Sequence, residues 1–169
     1  MPAAVPHGQG SADIFLHVQT KRAGKLKGEV ATAGHADDIH VVGWNWGLSA
    51  GSALGNTQAT GRRQYTALTV RKGIDLATTA LMSALASNDE VKEAKLTMRR
   101  AGGVQEDFFI VTLKAARITS LQHEVDAEGN THEVLTLAFT EVEVEYRPQR
   151  SAGGRGGSTV FSDSLPTNA

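Results

Sequence analysis

Apolar and polar residues alternate with a period of two through most of the middle of the chain. Ile14, Leu16 and Val18 alternate with Phe15 and His17, and Ile39, Val41 and Gly43 with His40, Val42 and Trp44. Ala94, Leu96 and Met98 share one face of a third such segment, 94–100. Each pattern predicts a half-buried strand. Two longer strand-like runs, Phe108 to Val125 and Thr131 to Tyr146, flank the turn residues Asp126 to Asn130 and predict a hairpin. The second run changes phase. Leu135, Leu137 and Phe139 are odd-numbered, whereas Val142, Val144 and Tyr146 are even-numbered. A β-bulge or sharp bend near Thr140 reconciles the two halves.

The period switches in one place. After Asp75, a candidate N-cap, the residues Leu76, Ala77, Ala80, Leu81, Ala84 and Leu85 fall on one helical face, with Thr78, Thr79, Met82 and Ser83 elsewhere. This predicts a helix over about 75–87, ending near Ser87-Asn88. One helix among many strands is not the repeating pattern of a parallel α/β fold. The expected architecture is mainly β: a closed β-barrel of two curved antiparallel sheets with one external α-helix. Residues 1–12 read as a flexible N-terminal extension, 13–148 as the β domain, and 149–169 as a Gly/Ser-rich tail. Within that tail, Val160-Phe161 forms a small apolar hook able to dock.

Composition narrows the function. The chain has 169 residues, with 17 Lys plus Arg against 18 Asp plus Glu, a net charge of −1. That balance argues against a dedicated nucleic-acid or anionic-membrane binder. With no cysteine there is no disulfide framework, no thiol nucleophile and no thiolate zinc site. No apolar run approaches the roughly 18 residues of a membrane-spanning helix. The start, Met1 to Gly8, lacks the basic and apolar regions of a Sec-type signal peptide.

The motifs that suggest chemistry are weak. Gly47-Leu-Ser-Ala-Gly51 matches the nucleophile elbow G-x-S-x-G, which would make Ser49 a hydrolase nucleophile. The residues that follow, 52–61, have loop rather than helix composition. His35, Asp37, Asp38 and His40 can be drawn as a metal cluster, but a solvated turn is the simpler expectation. Asp126, Glu128 and Asn130 suggest calcium only superficially, because the EF-hand spacing is absent. Gly153-Gly-Arg-Gly-Gly157 lacks the G-K-[ST] of a phosphate loop and reads as a linker. No cofactor is expected. Trp44-Asn45-Trp46 is more informative. In a strand the two tryptophans point to one face as core aromatics, and Asn45 points to the other. A neutral polar residue there suits a sheet face lining a shared cavity or a partner contact. Strands this long must also be closed, covered or paired with another chain.

Read as a whole, 13–148 resembles the haemolysin-coregulated protein (Hcp) family, the inner-tube proteins of bacterial type VI secretion systems. The blocks that carry the resemblance follow the family's order. They are Asp13 to His17, Lys27-Gly-Glu29, His35 to Ile39, Val41 to Gly47, Leu68 to Asp75, Ala94 to Gly102, Phe108 to Leu113 and Val142 to Gln149. The resemblance implies homohexameric rings of β-barrels, stacked as a tube within a contractile sheath, tipped by a spike and carrying effector proteins in the lumen. It implies a subunit that is cytoplasmic before firing and secreted afterwards, with no enzymatic site. It places Asn45 toward the lumen. It turns the segment from Ser49 to Gly61, including Ser52, Leu54, Asn56 and Gln58, into a loop for subunit or ring-stacking contacts. The turn Ser87-Asn-Asp-Glu90 is more acidic than the family's usual one. A non-assembling β-barrel module that binds peptides or proteins is the alternative.

Overall fold

The organising element of the computed structural model is a strand that belongs to two sheets at once. Residues 12–52, 54–55, 61–100, 105–148 and 157–165 are described. In chain order the elements are β1 (Ala12–Thr20), β2 (Gly24–Lys25), β3 (Ile39–Val41), β4 (Gly43–Asn45), β5 (Leu48–Ser49), β6 (Gln64–Tyr65), β7 (Leu68–Lys72), α1 (Ala77–Ala86), β8 (Val91–Arg100), β9 (Asp107–Val125), β10 (Thr131–Ala138), β11 (Glu141–Tyr146) and β12 (Thr159–Ser164). The first half of β9 pairs with β8 on one side and β11 on the other. Its second half pairs with β10. All these ladders are antiparallel.

The first sheet adds β1, β2 and β3 beyond β8, and β12 beyond β11. The second continues from β10 through β7 to β4. The change of sheet falls at Ala115, whose φ of 47° is a left-handed conformation in the middle of a strand. Across from it the chain breaks between β10 and β11, and the Thr140 hydroxyl donates to the Ala115 carbonyl at 3.1 Å. The bend expected near Thr140 is therefore present, and β9 makes a matching bend of its own.

Closure takes a different form from the expected barrel. The hydrogen-bonded path runs β2-β1-β8-β9-β10-β7-β4, and no ladder joins its two ends among the described residues. The segment 39–45 spans the gap covalently instead. Its first part, β3, pairs with β1, and its second part, β4, pairs with β7. Val42 between them donates its N–H to the Arg71 carbonyl at 2.8 Å.

The core lies between the sheets and under the helix. Leu16, Leu96, Val111 and Val144 form one cross-strand row on the inner face. Trp44, Val70, Leu135 and Leu121 form another. From α1, Ala77, Leu81 and Ala84 are buried against these rows. The helix starts two residues later than expected, with Leu76 rather than Asp75 at the N-cap. Asp75 still contributes, because its carboxylate accepts the Ala77 N–H at 2.9 Å while the Thr78 hydroxyl accepts the Asp75 N–H at 3.0 Å. Leu76, expected on the buried face, is exposed, and Thr78, expected off it, is buried. The helix ends at Asn88 in a left-handed turn (φ 57°), as its sequence anticipates. The acidic turn after it is structural: the buried Asp89 accepts the N–H groups of Arg22 at 3.1 Å and Ala23 at 3.2 Å, fastening the β1–β2 turn.

The C-terminal segment is not wholly tail-like. Residues 159–164 form β12 along the outer edge of β11, with Val160 opposite Glu145 and Phe161 opposite Val144. The glycines of the linker-like stretch precede this strand, so its β-branched and aromatic residues pair freely.

Candidate functional site

Two neighbouring rows of the second sheet define an inner and an outer surface. Trp44 heads the inner row, half-buried and stacked on Phe109 with centroids 6.0 Å apart. Trp46 lies just past β4 and also packs against the core, stacked on Tyr65 at 5.7 Å and edge-on to Phe139 at 6.1 Å. Asn45, between them, is exposed on the other face. The registers place Thr69 beside Asn45, Thr136 beside Thr69 and Ser120 beside Thr136. The outer face thus carries a continuous row of amide and hydroxyl side chains without charge. The rows on either side each supply a cation, Arg71 between Gly43 and Val134 and Arg117 beside Ala138. Thr69, Thr136 and Ser120 were not singled out from sequence. Their signal is the alternation itself, since Thr69 lies between Leu68 and Val70 and Thr136 between Leu135 and Leu137.

The candidate contact loop leaves the sheet directly after this row. Leu48 and Ser49 form β5, opposite Tyr65 and Gln64 of β6. Ser49 and Ser52 are exposed, and Leu54 is completely so. Asn56 and Gln58 lie outside the described residues. Ser49 therefore sits in a short surface strand, and among the described residues the first helix begins at Ala77.

The root of this loop is tied to the far end of the chain. The Arg63 guanidinium donates from Nη2 to Asp163 Oδ1 at 2.8 Å and from Nε to Oδ2. The Tyr65 hydroxyl donates to Asp163 Oδ2 at 2.8 Å, and Arg63 also reaches the Ser164 carbonyl at 3.1 Å. The hydrogen bonds from Arg63 and Tyr65 hold the Asp163 carboxyl below its ordinary range.

The His35 region is not the solvated turn expected. His35 and Asp38 are both buried. The imidazole stacks on Phe15 at 4.3 Å, with Nδ1 at 3.0 Å from Asp38 and Nε2 at 3.0 Å from Asp107. Lys25 reaches Asp38 at 3.0 Å. Burial works against ionisation of Asp38, but hydrogen bonds from His17, Lys25 and His35 outweigh it and lower its pKa. The charges are consumed in fastening the 26–38 segment over the outer face of β1. Among the described residues no cluster of His, Asp and Glu is arranged to hold a metal ion. The Asp126 carboxylate is likewise used within its hairpin turn, accepting the N–H groups of Glu128 at 3.0 Å and Asn130 at 2.8 Å.

The described residues form a mainly β fold of two antiparallel sheets joined through one long strand, with one helix and a row of uncharged polar side chains on the outer face of the second sheet. Comparison with known proteins identifies the family. Residues 15–146 match the family model described as "Type VI secretion system effector, Hcp". Protein hcp1 of Pseudomonas aeruginosa is 34% identical over 154 residues, covering 89% of this chain and 92% of that protein. The Major exported protein of the same organism is 27% identical over 110 residues, 62% of this chain and 64% of that protein. A solved structure titled "Structure of a type six secretion system protein" superposes with a TM-score of 0.79 at 24% identity, covering 92% of this chain and 96% of the other. The chain belongs to the Hcp family of type VI secretion proteins.

Proposed function

We propose that this chain is the tube subunit of a type VI secretion system. It assembles as a homohexamer whose rings stack within the contractile sheath, beneath the spike. The tube passes from the bacterial cytoplasm to the extracellular space or target cell, with effector proteins in its lumen. The wall of each subunit is the pair of sheets curled into a barrel, with 39–45 bridging β1 and β7. Its role is structural and chaperoning, not enzymatic.

Apart from the family relationship, the observation that best supports this reading is the row Asn45, Thr69, Thr136 and Ser120. An ordinary solvent face of a sheet tolerates charges. A lumen that must release varied cargo is better lined by neutral donors and acceptors, which bind weakly and without a sign preference. The loop with Ser49, Ser52 and Leu54 follows this wall, where it is suited to contact a neighbouring subunit or ring; Leu54, with no cover of its own, is the natural apolar contact.

The test is the native mass of the purified protein together with negative-stain images. A hexameric mass with annular particles is expected. A monomer that persists at high concentration would overturn the reading in favour of a solitary binding module. Unchanged ring yield after charge substitution at Ser49, Ser52 and Leu54 would remove the loop from the interface.

A further inference from the structure

We infer that β12 is a strap: through Asp163, the C-terminal strand fixes the root of the β5–β6 hairpin and so sets how the loop above it is presented. Three observations carry this. The hairpin has little to hold itself, because among the described residues its ladder shows two register pairs, Leu48 with Tyr65 and Ser49 with Gln64, in a sheet separate from the others. Isolated two-stranded ribbons of this size are not stable in water. Its position must come from outside. One side is supplied by the ring packing of Tyr65 on Trp46 and Phe139. The other is supplied by Asp163, which accepts from Arg63, 100 positions before it in the chain, and from Tyr65, 98 positions before it, so that neither contact belongs to a local turn.

The strap is itself lightly attached. Among the described residues β12 pairs with β11 alone and lies at the edge of its sheet. Val160 and Phe161, the former apolar hook, are 57% and 45% exposed and so give it little buried anchorage. What seats it is the β11 ladder, the Leu165 N–H bond to the Thr140 carbonyl at 2.7 Å, and the carboxylate of Asp163. Asp163 is the one residue of β12 that is mostly covered, and it is covered by the hairpin root it holds. A bidentate guanidinium–carboxylate pair with a phenol as third donor fixes direction as well as distance. A partner that captured the β12 edge, or a domain fused after it, would therefore alter the loop from the opposite end of the chain. The bearing on assembly rests on the reading of that loop as a subunit contact; the strap itself does not.

The experiment is amide hydrogen exchange on the full-length chain, comparing Asp163→Asn and Arg63→Gln with the parent and with the double variant. Exchange at Gly47 and Thr66, whose N–H groups bond to Thr66 Oγ1 and the Gly47 carbonyl, should rise by about tenfold or more in each single variant. The double variant should add little, because both changes break one contact. Protection in β8 and β9 should stay as in the parent, which certifies the fold. Unchanged exchange at Gly47 and Thr66, or effects that simply add, would overturn the strap. Ring yield is read on the same samples. A loosened root with normal rings upholds the strap and counts against the loop as a subunit contact; a firm root without rings overturns the strap alone.

Discussion

Lys72 and Glu133 face each other across β7 and β10, and neither side chain has any solvent-exposed surface. The Lys72 ammonium also lies 3.0 Å from Asp75 and 2.9 Å from the Gly73 carbonyl. Glu133 has a second partner in His123, at 2.8 Å on β9. The pair thus sits at the point where the helix start meets the second sheet, and Thr78 owes its burial to it. A buried charge with its partner removed is costly, whereas replacing both with apolar groups of similar size is often neutral. Lys72→Met alone should therefore lower stability by about 3–5 kcal/mol, and Lys72→Met with Glu133→Leu should recover most of that loss. Denaturant titration of the four proteins checks it.

Acid should loosen the fold through two separate carboxylates. Burial of Glu133 opposes its ionisation, but Lys72, His123 and Thr78 together bring its pKa below the ordinary value. Asp38 is lowered in the same way by His17, Lys25 and His35. For a carboxylate with a depressed folded pKa, the stabilisation is complete above the unfolded value, about 4, and is lost as pH falls through the lower folded value. Melting temperature should accordingly be insensitive to these two groups near neutrality and fall below about pH 4. Asp38→Asn should be less stable at neutral pH and show a shallower acid decline.

Gly28 approaches the opposite arm of the 26–38 segment too closely for any side chain. A Cβ at this position would lie 2.3 Å from the Asp38 carbonyl oxygen, and the Gly28 N–H bonds to the Asp37 carbonyl at 2.8 Å. Gly28→Ala should cost about 1–3 kcal/mol, as overpacking does. Limited proteolysis should report the damage as new cleavage between Leu26 and Asp38, with the second sheet intact.

Ala115 should accept glycine against the usual rule for strands. Its positive φ costs an L-residue about 1–2 kcal/mol, a penalty that glycine escapes. Glycine elsewhere in a strand loses about 0.5–1 kcal/mol through entropy. Ala115→Gly should therefore be neutral or mildly stabilising in thermal unfolding, whereas the same change at Ala116, which is buried, should destabilise.

Charge on the wall should separate cargo from assembly. Asn45 is exposed, so Asn45→Lys should leave stability within about 0.5 kcal/mol. On the tube reading proposed above, rings should form as before, while co-purification of effector proteins drops. Undiminished effector recovery would remove Asn45 from the binding wall.

Period-two alternation exposed the strands where an inward Leu96 or Leu135 follows an outward Lys95 or precedes an outward Thr136. The same rule separated Asn45 from Trp44 and Trp46. It could not find what depends on pairing at long range. Nothing local to Asp163 announces Arg63, and Lys72 and Glu133 look like surface charges until β7 and β10 are laid side by side. His35 looked solvated because its cover, Phe15 and Asp107, comes from two distant strands. Thr78 looked outward because helical periodicity ranks apolarity, and a buried polar cluster inverts that ranking. The hook at Val160-Phe161 was legible as apolar, but its role as a strand depended on the open edge of β11.

The place of β1 in the first sheet has a consequence for biosynthesis. Its long ladder is made with β8, which ends eighty positions after β1 does, at Arg100. As the chain leaves the ribosome at roughly 5–20 residues per second, the apolar face of Ile14, Leu16 and Val18 waits several seconds for that cover. Only the short β2 and β3 reach it sooner. Non-local pairing of this kind is slow to form and leaves strand edges open meanwhile. The nascent N-terminal strand is thus the segment most in need of a holding chaperone, and substitutions that weaken the β1–β8 ladder should first reduce soluble yield rather than the stability of whatever has folded.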